Sequence, residues 1–224
     1  GPTGVLMKAF FFDLDGTLLN SLADIGGACN AILEKYGYPA HPLSSYRQFV
    51  GNGFGKLVRS TLPADANLDE QTMTQIEEEA RHYYAQHMCE HSRPYDGVMA
   101  ALENLQAAGH PLAVLSNKPD EHTLEIVRHY FSGIPFALVR GARKDAPLKP
   151  HPRALLDMME SMHISVPQTL YVGDSDVDIL TGHNAGLPAM GALWGFRGRA
   201  ELTAAGADAL AGVPEDILEY VRTH

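Results

Sequence analysis

The sequence predicts an α/β fold: a parallel sheet covered by helices on both faces, with an all-helical insertion after the first strand. Two observations carry this. Short apolar runs that end abruptly in polar or glycine-containing turns alternate with amphipathic helical patterns, as buried parallel strands and their crossover helices do. From Ser21 to His91 the alternation stops, and no strand-like run is found. Composition agrees with a folded domain. The 224 residues are 45% hydrophobic and 20% charged, and a chain of this size buries roughly 70% of its unfolded surface without a disulfide or metal staple.

In order, strands are read at Lys8 to Leu14, Pro111 to Leu115, Phe136 to Val139, Thr169 to Val172 and Pro188 to Leu193. Helices are read at Val98 to Ala108, His122 to Phe131, Pro152 to Met162 and Asp176 to Ala185. Ala154, Leu155, Met158, Met159 and Met162 form a helical stripe, read as core packing. Within the insertion, Leu22, Ile25, Cys29, Ile32, Leu33 and Tyr36 keep helical spacing behind Ser21 as N-cap, and Gly37 stops the helix. Further helical stretches follow at Leu43 to Val50, Phe54 to Leu62 and Leu68 to Met88. Residues 21–91 are therefore expected to form a small helical domain on a core of residues 7–20 and 92–224, with Ser92 to Gly97 as the return hinge. Residues 1–6, GPTGVL, begin with the Gly-Pro that protease-cleaved tags leave and are read as a tag remnant.

Seventeen Lys and Arg against twenty-seven Asp and Glu give a net charge of −10. With no basic run, nucleic acid and anionic membranes are poor partners. No run approaches the roughly 20 apolar residues that span a bilayer, and Ala9 to Phe12 is too short for a signal peptide. The two cysteines, Cys29 and Cys89, lack CxxC spacing and read as reduced thiols. A cytoplasmic location is expected.

The first strand runs into FFDLDGTLL. Residues two apart on a strand share a face, so Asp13 and Asp15 are expected to present their carboxylates together, with Gly16 turning the chain and Thr17 adding a hydroxyl. The run YVGDSDVDIL places Asp174 at another strand end and Asp178 at the next helix start. Carboxyl ends of parallel strands line a common crevice. Four carboxylates there repel one another unless a cation joins them, and a hard oxygen-seeking ion, above all Mg²⁺, suits the need. Asp176 reads as a solvated residue of the same helix start. VLSNKP offers the Ser116 hydroxyl and backbone N–H groups at a helix start, a phosphate-binding arrangement, and LKPHP sets Lys149 in a rigid turn.

FFDLDGTLL, VLSNKP, LKPHP and VGDSDVDIL, in this order, resemble the four motifs of the haloacid dehalogenase superfamily, and the helical insertion resembles its small α-helical cap. The likeness runs from Met7 onward. It implies a Rossmann-like core and phosphoryl transfer through an aspartyl-phosphate. By that resemblance Asp13 is the nucleophile and Asp15 the general acid, then base. Mg²⁺ is held by Asp13, the Asp15 carbonyl and Asp174. Thr17, Ser116, Asn117 and Lys149 meet the phosphoryl group, and Asp178 orients Lys149 or a metal-bound water. A finer resemblance, through VGNGFGKLVRSTL, SNKP and GALWGFRG, is to bacterial phosphoglycolate phosphatases. Gly51, Gly53 and Gly55 would let the cap backbone approach a small substrate, and Lys56 and Arg59 would meet its carboxylate. RGARKDAPLKP departs by lacking an acidic Gly-Asp pair, and Gly182-His183 replaces small alanines. A Mg²⁺-dependent phosphatase of a small phosphomonoester, 2-phosphoglycolate first, is the expectation. A nucleotidase, sugar phosphatase or pyrophosphatase stays open, as does, outside enzymes, a phospho-accepting receiver-like module.

Overall fold

The computed structural model describes residues 8–224; the tag-remnant reading lies outside the described residues. β1 (Ala9–Phe12) leads through a turn to β2 (Leu19–Asn20) and into the insertion. There α1 (Leu22–Lys35), α2 (Tyr46–Phe49), α3 (Phe54–Thr61) and α4 (Glu70–His87) follow one another before β3 (Arg93–Pro94) returns the chain. The core continues with α5 (Val98–Ala107), β4 (Leu112–Pro119), α6 (Asp120–Tyr130), β5 (Leu138–Ala142), α7 (Arg153–Met162), β6 (Thr169–Gly173) and α8 (Asp176–Asn184). It closes with β7 (Ala189–Ala192), α9 (Arg199–Ala204), β8 (Ala209–Ala211) and α10 (Glu215–Thr223).

Six strands form one parallel sheet in the order β5-β4-β1-β6-β7-β8. β1 illustrates why. Its four residues are all buried, with Phe10 and Phe12 packing on one face beside Val98, Leu102 and Ile126, and Ala9 and Phe11 on the other beside Leu155, Met158 and Met159. Period-two alternation thus feeds two apolar layers, and both demand helices over them. The methionine stripe of α7 is core, with Met162 packed at its edge.

The chain leaves and re-enters the core through a two-stranded antiparallel ribbon, Leu19 opposite Pro94 and Asn20 opposite Arg93. The buried Asp24 carboxylate locks these ends together by accepting from the His91 and Ser92 backbone N–H groups and the Ser92 hydroxyl. Ser21 precedes α1 as expected but makes no side-chain cap; its hydroxyl donates to Asp15 instead, at 2.5 Å. The helix read at 43–50 is a 3₁₀ turn, Leu43–Ser45, followed by the short α2. The ribbon, β8, α9 and α10 were not anticipated. No described helix is long and apolar enough to cross a membrane, and both cysteines are free.

Candidate active site

β1 and β6 lie side by side at the middle of the sheet, with β4 on the other side of β1. The crevice beyond their carboxyl ends is where a doubly wound sheet binds ligands. Asp13 follows β1, Asp174 follows β6, and Ser116 to Lys118 end β4. β1 stops at Phe12, so strand alternation does not bring Asp13 and Asp15 together; the turn after it does. Gly16 adopts φ +82°, and a Cβ there would collide with the Asp174 carboxylate. A Cβ on Gly195 would collide with the Gly16 carbonyl and with Asp174. These two glycines let the first turn, Asp174 and the loop after β7 close on one another.

Lys149 is the hub. Its ammonium reaches Asp178 Oδ1 at 2.8 Å, the Tyr171 hydroxyl at 2.8 Å, the Leu115 carbonyl at 3.1 Å and Asp13 Oδ1 at 3.2 Å. Burial works against its charge, but Asp13 and Asp178 outweigh it and hold the ammonium well above the usual lysine range. Asn117 braces this lysine, accepting from its backbone N–H at 2.8 Å and donating to its carbonyl at 3.0 Å. Asp178 is fully buried and occupied on both oxygens: Oδ1 faces Lys149 and Oδ2 accepts from the Asp174 and Ser175 N–H groups. It therefore orients Lys149 and the strand end.

Asp13 accepts from the Leu14 N–H at 2.7 Å. Asp174 accepts from the Phe196 N–H at 2.9 Å and the Thr17 hydroxyl at 3.3 Å. Burial first, then the neighbouring Asp178 charge, pushes Asp13 well above the carboxylate range and Asp174 up to about 7. Asp15 is held by the Ser21 hydroxyl and by Lys118, whose ammonium lies 3.0 Å from its Oδ1.

A cavity between core and insertion joins these groups. From the core it is lined by Asp13, Asp15, Ser116, Asn117, Lys118, Lys149 and Asp174. Ser175 and Phe196 complete that side, and Ile25, Val50, Gly51, Gly53, Phe54, Leu57 and Tyr84 face it from the insertion.

Residues 10–192 match the family model of the haloacid dehalogenase-like hydrolases. The chain belongs to this family. A phosphoglycolate phosphatase of Mannheimia succiniciproducens is 34% identical over 194 residues, 84% of this chain and 87% of that protein. The phosphoglycolate phosphatase of Vibrio parahaemolyticus is 32% identical over 219 residues, 96% of each. A crystal structure from Haemophilus somnus, described as a predicted phosphoglycolate phosphatase, superposes with a TM-score of 0.89 at 30% identity, covering 96% of this chain and 98% of that one. The chain is a phosphoric monoester hydrolase, which sets aside the receiver-like reading.

The cavity of this hydrolase gathers most residues that the sequence singled out, but not all. Thr17 is wholly buried and spends its hydroxyl on Asp174 away from the cavity lining. Ser116 does not sit at an open helix start: β4 continues to Pro119, and the Ser116 hydroxyl accepts from the Lys118 N–H at 3.1 Å. Asp176 is half-buried, its carboxylate accepting from the Val177 N–H. Lys56 is exposed, and Arg59 pairs with Glu70 at 2.6 Å and with Glu77; neither lines the cavity. Gly51 and Gly53 do, Gly55 does not. Lys118, Tyr84, Phe54 and Phe196 were missed. For Lys118 the signal was hidden, since the strand was read to end at Leu115 and a lysine in a turn reads as a solvated charge, whereas β4 runs on to Pro119 and buries it.

The donor set suits a divalent cation. Asp13, Asp174 and Asp178 bring carboxylate oxygens within 4.8 Å of one another, and Lys149 is the one ammonium facing that group among the described residues. Burial first, and then the Asp178 charge, raises both Asp13 and Asp174, and a cation bound between them would offset both costs. An all-oxygen cluster of this kind is what hard divalent ions take.

Proposed function

We propose that the chain is a Mg²⁺-dependent phosphatase of 2-phosphoglycolate acting through an aspartyl-phosphate, with residues 21–91 as a cap over the core of residues 7–20 and 92–224, working in the cytoplasm. The observation that carries this reading is the convergence of Asp13, Asp15, Lys149 and Asp174 on one cavity roofed by apolar side chains. Asp13 is the nucleophile. Its oxygen bonds to phosphorus as the ester P–O bond breaks, and Asp15 gives its proton to the departing alkoxide. Asp15 then takes a proton from a water that attacks the aspartyl-phosphate, and the phosphorus–Asp13 bond breaks to release phosphate. Lys149, Ser116 and the Asn117 backbone face the charge on the transferred group. Asp13, the Asp15 carbonyl and Asp174 would hold the Mg²⁺, which would supply positive charge against the phosphoryl oxygens. The apolar roof excludes bulk water from the first step.

The substrate named for the chain's relatives favours 2-phosphoglycolate over nucleotides and sugar phosphates. A phosphate-release screen of 2-phosphoglycolate, nucleoside monophosphates, sugar phosphates and pyrophosphate under Mg²⁺ tests the reading. The highest kcat/KM is expected on 2-phosphoglycolate. A nucleotide or sugar phosphate turned over faster overturns the substrate, and turnover undiminished by a chelator overturns the metal.

A further inference from the structure

Lys118 has no part in the chemistry just described. It lines the cavity, is 7% exposed, and with Lys149 supplies the only cations among the described lining residues. Lys149 is committed to Asp13 and Asp178. The Lys118 ammonium lies 3.0 Å from Asp15 Oδ1, donates to the Tyr84 hydroxyl, and sits 4.4 Å from the centroid of the Tyr84 ring. An ammonium has three N–H donors and no acceptor. Asp15 and Tyr84 engage two, which leaves one. Burial and the Asp15 charge keep the Tyr84 phenol protonated. Its own proton is free to donate as well.

Position completes the argument, which rests on the proposed substrate. Asp15 protonates the leaving oxygen, so Lys118 stands on the leaving-group side of the reaction and Lys149 on the phosphoryl side. In 2-phosphoglycolate the carboxylate is separated from the leaving oxygen by a single methylene. A group that touches Asp15 is therefore within reach of it. The rest of the roof, Ile25, Val50, Phe54 and Leu57, offers no charge, and a carboxylate buried there unpaired would be strongly disfavoured. We propose that Lys118, with the Tyr84 hydroxyl from the cap, forms the subsite that pairs with the substrate carboxylate and sets specificity.

The test compares 2-phosphoglycolate with ethyl phosphate, which has the same two-carbon ester and an alkoxide leaving group but no carboxylate. Any harm to Asp15 falls on both substrates, so the ratio of their kcat/KM values reads the subsite. For Lys118→Met this ratio is expected to fall by about 30-fold, the scale of one hydrogen bond to a charged group. For Tyr84→Phe a fall of about 5-fold is expected, and Lys118→Arg should recover part of the Lys118→Met loss. Equal losses on both substrates in Lys118→Met, from a wild type that prefers 2-phosphoglycolate, overturn the subsite and leave the substrate standing. A wild type with no such preference overturns both. Should Lys118→Met not fold, Tyr84→Phe carries the test: a selective loss supports the subsite and an equal loss overturns it.

Discussion

The core and the insertion face the same cavity with opposite chemistry. On the core side, Asp13, Asp15, Lys149 and Asp174 each have polar partners; Asp13 and Asp174 directly follow strands, Asp15 lies in the turn after β1 and Lys149 in the loop between β5 and α7. On the insertion side, Ile25, Val50, Phe54 and Leu57 are apolar, and Tyr84 alone carries a polar tip among the lining residues. Charges of the insertion find partners away from the cavity, as in Arg59 with Glu70 and Glu77, Lys35 with Glu79 and the buried Asp24 with the returning chain. Groups held by several hydrogen bonds on a fixed sheet are preorganised for charge development. A helical roof joined by a two-stranded ribbon can exclude water and select shape. Substitutions of Asp13, Asp15, Lys149 and Asp174 should therefore act on kcat for every substrate, and substitutions in the insertion, or at the core residues Lys118 and Arg197 that meet it, on KM and selectivity.

The largest effect should come from Asp13→Asn. An amide cannot form the acyl-phosphate, so kcat should fall by about 10⁵-fold on all phosphomonoesters, while 2-phosphoglycolate still binds in equilibrium dialysis. Retained turnover would break the division at its first member. Lys149→Ala should lower kcat by about 10²-fold, with loss on carboxylate-bearing and carboxylate-free substrates alike. Asp174→Ala should show instead as a higher Mg²⁺ requirement in an activity titration; an unchanged titration would remove Asp174 from the metal set.

A smaller effect sharpens the boundary itself. Arg197, in the core loop after β7, donates to the Arg47 carbonyl at 2.8 Å, the Gln48 carbonyl at 3.0 Å and the Val50 carbonyl at 2.8 Å. These are the unpaired carbonyls at the end of α2, where a cation is favoured. Asn117 adds a bond to the Gly51 carbonyl at 2.9 Å. Arg197→Ala should raise KM by about 10-fold with little change in kcat, and limited proteolysis should cut the insertion faster. A fall in kcat with KM unchanged would assign Arg197 to the chemistry and not to the seam.

The same contrast explains what the sequence disclosed. Buried strands announce themselves as apolar runs, so β1, β6 and β7 begin and end within two residues of expectation. β2 and β3 are too short for any periodicity, and the Ala-Leu-Ala of β8 has little β-propensity. β4 runs on through Ser116-Asn117-Lys118-Pro119, residues that read as a turn; their polar groups find partners inside the site, so function overrides propensity. Asp13 and Asp174 were legible because each directly follows a buried apolar strand whose end fixes where it lies. Lys56 and Arg59 misled because a glycine loop beside them says nothing about helix face. On α3, Leu57, Val58 and Thr61 are the buried positions, and Phe54 completes their i, i+3, i+4, i+7 stripe, so positions 56 and 59 lie off it.

The smallest effect concerns His122, on α6, where core and insertion meet. It is 3% exposed, its ring packs edge-on against Phe54 and Tyr84, and its Nδ1 has no hydrogen-bond partner. Burial, and next the Lys118 charge, lower its pKa from 6.5 to about 4. At pH 7 the ring is neutral whether the chain is folded or unfolded, and its titration contributes nothing to stability. Below 6.5 the unfolded chain takes up a proton that the folded chain refuses until about 4. Stability is therefore lost as pH falls through that window. Carboxylates also titrate there, but they are common to wild type and variant, so the difference between the two isolates the histidine. His122→Phe keeps the aromatic packing and removes the titration. Its urea midpoint should lie close to that of wild type at pH 7 and above it at pH 4.5. Parallel midpoints across the range would mean that His122 takes up its proton without disturbing the seam, and the apolar character of the roof would then end at Phe54 and Tyr84.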